Sequence, residues 1–129
     1  MNRKVHIDEV RGLDVELANV CNLKCPLCLS QLVPDFMERS KGPVFLDMDY
    51  LLGELDRMPA LATLSIAGDA SEPTLHPGLF RLLDYAKDRD RLFVELYTNA
   101  SARPEQYWKD LAGHFSERSR VYFTICGST

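Results

Sequence analysis

Cys21, Cys25 and Cys28 fall within the eight residues CNLKCPLC of a chain that holds only 4 cysteines. Thiolates are soft ligands suited to zinc or to iron–sulfur clusters. The spacing Cys-x3-Cys-x2-Cys therefore admits a zinc site, a redox dithiol with a bystander, or a cluster. A structural zinc site normally takes four ligands. No other cysteine is near in sequence, and the closest histidine downstream is His76. A cubane cluster held by three thiolates keeps one iron open to a substrate or cofactor. Three ligands are thus a defect in a structural site and an opportunity in a catalytic one.

The rest of the chain sets what can position those thiols. At 129 residues it is one modest domain or part of a larger one, and an apolar fraction of 46% suits a globular protein. Lys plus Arg number 15 against 19 for Asp plus Glu, a formal charge of -4. Without a basic stripe, a nucleic-acid partner gets no electrostatic support. The N-terminal MNRKVHIDEVRG lacks the apolar core of a signal peptide, and no apolar run is long enough to span a membrane. Crowded cysteines suit one metal site in a reducing compartment better than disulfides, so a cytoplasmic location is expected.

Hydrophobic periodicity predicts the elements. Val5, Ile7 and Val10 suggest a short extra strand within an N-terminal extension, 1–12. Leu13, Val15 and Leu17 alternate with Asp14 and Glu16, a half-buried strand that runs into the cysteine loop. SQLVPDFMERSKGPVF reads as loop with a short helical piece. Met48, Leu51, Leu52, Leu55 and Met58 share a helical face behind an Asp47 cap, and Pro59 ends the run. LATLSIA, LFVELYT and RVYFTI read as strands, separated by helices over HPGLFRLLDYAKDRD and ARPEQYWKDLAGHF. This alternation predicts an α/β fold with parallel strands and right-handed crossovers. Ligands in such folds bind at the C-terminal strand ends, where the cysteine loop, GDASEPT, TNA and CGST would gather. No helix follows the fourth strand, so a continuation beyond Thr129 is expected to cover its edge.

CNLKCPLC resembles the cluster motif of the radical S-adenosylmethionine superfamily, with Asn22, Leu23 and Pro26 in familiar forms and Leu27 where an aromatic residue is common. The resemblance covers most of the chain, from about Val15 to Ser128. It implies that 13–129 is the N-terminal portion of a core domain, a partial (β/α)6-type, TIM-like barrel incomplete at its C-terminus. It further implies that Cys21, Cys25 and Cys28 hold a 4Fe-4S cluster whose open iron chelates S-adenosylmethionine. Reductive cleavage, fed by an external electron donor, would give methionine and a 5'-deoxyadenosyl radical that takes hydrogen from a substrate, an oxidoreductase-type reaction.

Three further segments carry the same resemblance. IAGDASEPTLHP is similar to the family's glycine-rich Gly-Glu-Pro segment, which implies cofactor binding by Gly68, Asp69, Ala70, Ser71, Glu72 and Pro73. Ser71 replaces the expected glycine, so a tight backbone approach is less assured. YTNA resembles a Thr-Asn-Gly strand end, placing Asn99 at the cofactor, with Ala100 for glycine. TICGS resembles a Ser-x-Asp-Gly strand end, placing Thr124 and Ser128 near the ribose or substrate. Leu27 would contact the cofactor from the cysteine loop.

Some residues admit two readings. Glu72 fits an organising role, through local backbone or the bound amine, better than proton transfer. His76 fits capping or solvent exposure better than iron ligation. Asn99 either fixes its turn or touches the cofactor. Tyr107 and Trp108 share a helical stripe with Leu111 and read as core. Cys126 is a small apolar filler, a lining of the nucleoside pocket, or a catalytic hydrogen-atom donor. KDRDR and SERSR read as solvated connections at the far end of the sheet. The substrate, a peptide or a small-molecule cofactor precursor, is not chosen by these motifs. The competing classes are an iron–sulfur electron-transfer protein and a non-catalytic, metal-stabilised interaction module.

Overall fold

The computed structural model describes residues 4–33 and 42–125. Alternating apolar residues give four strands, β1 (Gly12–Val15), β2 (Thr63–Ile66), β3 (Phe93–Thr98) and β4 (Ser119–Phe123). They form one sheet in the order β1-β2-β3-β4, and each pairing is parallel. The register sets Asp14, Ser65, Glu95 and Arg120 in one row across the sheet. Side chains alternate between faces. The neighbouring positions Leu13, Val15, Leu64, Ile66, Val94, Leu96 and Val121 accordingly belong to the hydrophobic core. Leu64, Ile66 and Leu96 have no exposed area, and each contributes about 1.5–3 kcal/mol by burial.

The helices α1 (Leu29–Leu32), α2 (Met48–Asp56), α3 (Leu79–Lys87) and α4 (Glu105–His114) fill the connections. Asp47 caps α2, its Oδ1 accepting from the Tyr50 amide at 2.9 Å. Met48, Leu51 and Leu55 are the face that α2 buries. Leu79, Leu82, Leu83 and Ala86 do the same for α3, while in α4 Leu111 is buried and Tyr107 and Trp108 pack against the core. The chain is thus an α/β fold, a parallel four-stranded sheet flanked by helices. Among the described residues, no helix is long and apolar enough to cross a membrane.

The expectation of an extra strand needs correction. Val5, Ile7 and Val10 form no strand: Ile7–Glu9 is a 3-10 turn, closed by the Glu9 carboxylate accepting from the His6 amide at 3.2 Å. Local bonding by the Asp8–Glu9 pair outcompetes a ladder, since Val5 is 72% exposed and has no apolar face to cover. The charged connections are mostly exposed, as read, with Arg89 half-buried. Arg89 donates to the Leu55 carbonyl at 2.9 Å and to the Tyr85 hydroxyl at 2.8 Å, fastening the end of α3 to α2.

β1 is shorter than the alternation suggested. Beyond Val15 the chain leaves the sheet, and Leu17 to Asn19 meet the returning segment before α2 instead. Leu46 N donates to Leu17 O at 2.8 Å, Asn19 N donates to Val44 O at 3.1 Å, and Ala18 and Phe45 form an antiparallel bridge. This clasp fixes the base from which the cysteine loop rises.

Candidate cofactor and metal site

The loops after β1, β2 and β3 leave the sheet at its C-terminal edge and enclose a cleft of about 580 Å³, within the usual range for small-molecule sites. Cys21, Cys25, Cys28 and Leu27 line it from the first loop, Gly68, Asp69, Ala70 and Ser71 from the second, and Asn99 from the third. All three cysteines are half-buried thiols. A turn in which Cys28 N donates to Cys25 O at 3.0 Å brings two of them to the same wall, and the Cys28 carbonyl then starts α1 by accepting from Gln31 N at 2.8 Å.

The thiols are held by donors. Cys21 Sγ accepts from Leu23 N at 3.4 Å and from Asn99 Nδ2 at 3.5 Å. Cys28 Sγ accepts from Ser30 Oγ at 3.1 Å, and its S–H faces the Asp69 carbonyl at 3.7 Å. Three soft donors line one cleft, two of them, Cys21 and Cys28, polarised by N–H and O–H groups, and soft thiolates are the ligand type that suits an iron–sulfur cluster. Among the described residues, no three His, Cys, Asp or Glu side chains are drawn together around a single metal ion.

Glu72 explains why the three loops meet. Only 1% of it is exposed. Its Oε1 accepts from Thr74 N at 3.1 Å and from the Thr74 and Thr98 hydroxyls, each at 2.6 Å, while Oε2 accepts from Asn99 N at 2.8 Å. Its own amide donates to Val20 O at 2.8 Å, beside Cys21. The carboxylate therefore ties the second loop to the third, and its backbone ties the second to the first. Pro73, also buried, opens a 3-10 turn Pro73–Leu75, whose carbonyls accept from Arg103 at 2.8 and 3.3 Å. Tyr107 reaches the same Thr74 carbonyl at 3.3 Å. Burial holds its phenol above the ordinary range, with Arg103 opposing the shift.

The tight approach expected of a glycine-rich loop falls at Gly68. A Cβ there would collide with the Ser71 hydroxyl and lie 2.8 Å from the Ser71 carbonyl oxygen. Ser71 Oγ is itself buried and has no hydrogen-bond partner among the described residues. Gly68→Ala is expected to cost about 1–3 kcal/mol as an overpacking change, read as a lower urea midpoint. Adding Ser71→Gly should recover part of the loss, because the backbone contact remains.

No protein-family profile matches the chain, and no solved structure matches it. Two curated proteins resemble it. One is a tungsten-containing aldehyde ferredoxin oxidoreductase cofactor-modifying protein of Pyrococcus furiosus, 29% identical over 108 residues, or 80% of this chain. The other is a 7,8-dihydro-6-hydroxymethylpterin dimethyltransferase of Methanocaldococcus jannaschii, 30% identical over 87 residues, or 67% of this chain. The matches span 28% of the first relative and 16% of the second.

Not every expected site residue reaches the cleft. Glu72 and Pro73 support it from beneath. Thr124 lies along β3 instead, its amide and hydroxyl donating to the Thr98 carbonyl at 2.8 and 3.1 Å. Cys126 and Ser128 lie outside the described residues. His76 is buried rather than solvent-facing: Nε2 bonds the Leu46 carbonyl at 2.8 Å and Nδ1 accepts from Gly78 N at 2.9 Å, just ahead of α3. A carbonyl only accepts, so these contacts assign the proton to Nε2.

Other contributors were not anticipated. Asn22, Ser30 and Ser101 brace the thiols and Asn99, and Glu16 Oε1 accepts from Ala70 N at 3.3 Å. A second hollow of about 360 Å³ adjoins the cleft through Gly68 and Asp69 and opens onto Asp14, Glu16 and Tyr97. There Tyr97 stacks on Tyr122 with ring centroids 4.6 Å apart, and their hydroxyls donate to Glu95 at 3.5 and 3.1 Å. Partial burial and the Glu95 charge hold the Tyr97 phenol above its usual range. The alternation of FVELYT was the signal for these residues, since its polar positions had to face away from the core.

Proposed function

We propose that the chain is the N-terminal portion of a radical S-adenosylmethionine enzyme, folded as part of a (β/α)6-type barrel. The observation that carries this reading is the meeting of three thiols with the Gly68–Ser71 loop and Asn99 around one cleft at the C-terminal strand ends. A sequential order of parallel strands, joined by the right-handed crossovers such connections take, would put successive helices on one side of the sheet, as in a barrel.

In this reading Cys21, Cys25 and Cys28 would hold a 4Fe-4S cluster, and N–H and O–H donors already polarise Cys21 and Cys28. A cluster bound there would supply the electron, from an external donor, for reductive cleavage of S-adenosylmethionine. Backbone groups of Gly68 to Ser71 bind the methionyl end, and Leu27, 87% exposed at the rim, gives apolar contact. Glu72 keeps the loops in register rather than moving a proton. By the resemblance, Ser128 and the catalytic candidate Cys126 would serve the ribose or substrate side, with Thr124 fixing the start of that segment on the Thr98 carbonyl. Both relatives are named for a cofactor or a pterin, which favours a small-molecule cofactor precursor over a peptide. A reducing, cytoplasmic setting follows from the thiols.

Anaerobic reconstitution with iron and sulfide, followed by electron paramagnetic resonance of the reduced protein, tests the proposal. A cluster signal that changes on adding S-adenosylmethionine supports it. A cluster signal that the cofactor leaves unchanged favours an electron-transfer protein. Stoichiometric zinc without a cluster favours the interaction module.

A further inference from the structure

The Asn99 side chain uses its whole hydrogen-bonding capacity. Oδ1 accepts from Ser101 N at 2.9 Å and from Ser101 Oγ at 2.8 Å, closing a turn. Nδ2 donates to Asn22 Oδ1 at 3.0 Å and to Cys21 Sγ at 3.5 Å. The amide orientation is therefore assigned by its partners, since the flipped form would set its oxygen against both Asn22 Oδ1 and sulfur. Two further bonds hold the assembly: Asn22 Nδ2 donates to Ser101 Oγ at 2.9 Å, and the Asn99 backbone amide is fixed on Glu72.

Resting on the cluster reading above, we propose that Asn99 is a positioning residue that orients Cys21 and, through its N–H···S bond, raises the reduction potential of the cluster Cys21 helps to hold. An N–H dipole aimed at sulfur favours the more negatively charged, reduced state, and hydrogen bonds to the sulfurs are among the factors that set cluster potentials. The bond comes from the end of β3, so the potential is set by a loop other than the one that supplies the ligands.

The test is a potentiometric titration of the reconstituted full chain, followed by electron paramagnetic resonance. Asn99→Ser keeps a neutral oxygen for the turn but cannot reach Cys21. Its reduced-to-oxidised ratio at a fixed solution potential is expected to fall about threefold to tenfold, with iron and sulfide content unchanged. Ser101→Ala removes two contacts of the assembly, to Asn99 Oδ1 and from Asn22 Nδ2, and leaves the Asn99 N–H donor, so its midpoint should match the parent. Asn99→Asp keeps Oδ1 and loses the donor, so its midpoint must also fall. A parent-like midpoint in either Asn99 variant, or an equal shift in Ser101→Ala, overturns the inference while leaving the functional reading intact. A parent chain that assembles no cluster overturns both.

Discussion

Replacing Cys21, Cys25 or Cys28 by serine is expected to remove cluster loading, with iron and acid-labile sulfide per chain falling at least about tenfold after anaerobic reconstitution. Serine preserves the shape but offers a hard, protonated oxygen where a soft thiolate is needed. Two remaining thiols on a cleft wall do not hold the same group. None of the three cysteines belongs to the hydrophobic core, so the far-ultraviolet circular dichroism and the melting temperature should stay near the parent. That contrast is the useful readout, because lost loading with intact folding assigns the effect to ligation. Full loading in any single variant would remove that cysteine from the ligand set.

The second large effect is expected at Glu72. Glu72→Ala leaves the Thr74 amide, the Thr74 and Thr98 hydroxyls and the Asn99 amide without their acceptor in a largely buried site. Each buried donor so stranded costs about 1–3 kcal/mol, and the site does not relax fully. The total is expected near 3–5 kcal/mol, a large share of the 5–15 kcal/mol typical of a domain. Glu72→Gln should be milder, about 1–3 kcal/mol, because one oxygen remains while the new amide faces the Asn99 N–H donor to donor. Urea denaturation measures both. A change of less than about 0.5 kcal/mol in Glu72→Ala would mean that the three loops are held together without the carboxylate.

The fold was largely legible in the sequence because its elements are amphipathic with clear periods. Leu64 and Ile66 alternate as a half-buried strand must, and Leu79, Leu82, Leu83 and Ala86 repeat as a helix must. Val5 to Val10 misled because three apolar residues at such spacing do not outweigh a capped turn. The thiols were legible from spacing alone, and the resemblance pointed to Gly68 and Asn99. The organising role of Glu72 was legible, but its burial and its distant partners were not. A carboxylate normally lies in water, and its burial depends on Thr98 and Asn99, 26 and 27 positions away. His76 was hidden for the same reason, since its partner carbonyl at Leu46 is 30 positions back. Periodicity describes neighbours along an element, whereas these bonds join the ends of different elements.

The long-range bracing of the thiols has a kinetic side. Cys21 and Asn99 are 78 positions apart, Cys28 and Asp69 are 41, and Glu16 and Ala70 are 54. Closing loops of that length costs chain entropy that nearby contacts do not return. The cysteines leave the ribosome with their local donors Leu23 and Ser30 but ahead of Asp69 and Asn99, their partners after β2 and β3. A nascent chain therefore exposes a bare thiol triplet to whatever metal is present until the sheet has formed. On the proposed function, cluster insertion would be a late event gated by strand pairing, and the interval before it is when the wrong ion, or oxygen, would have its best chance at the site.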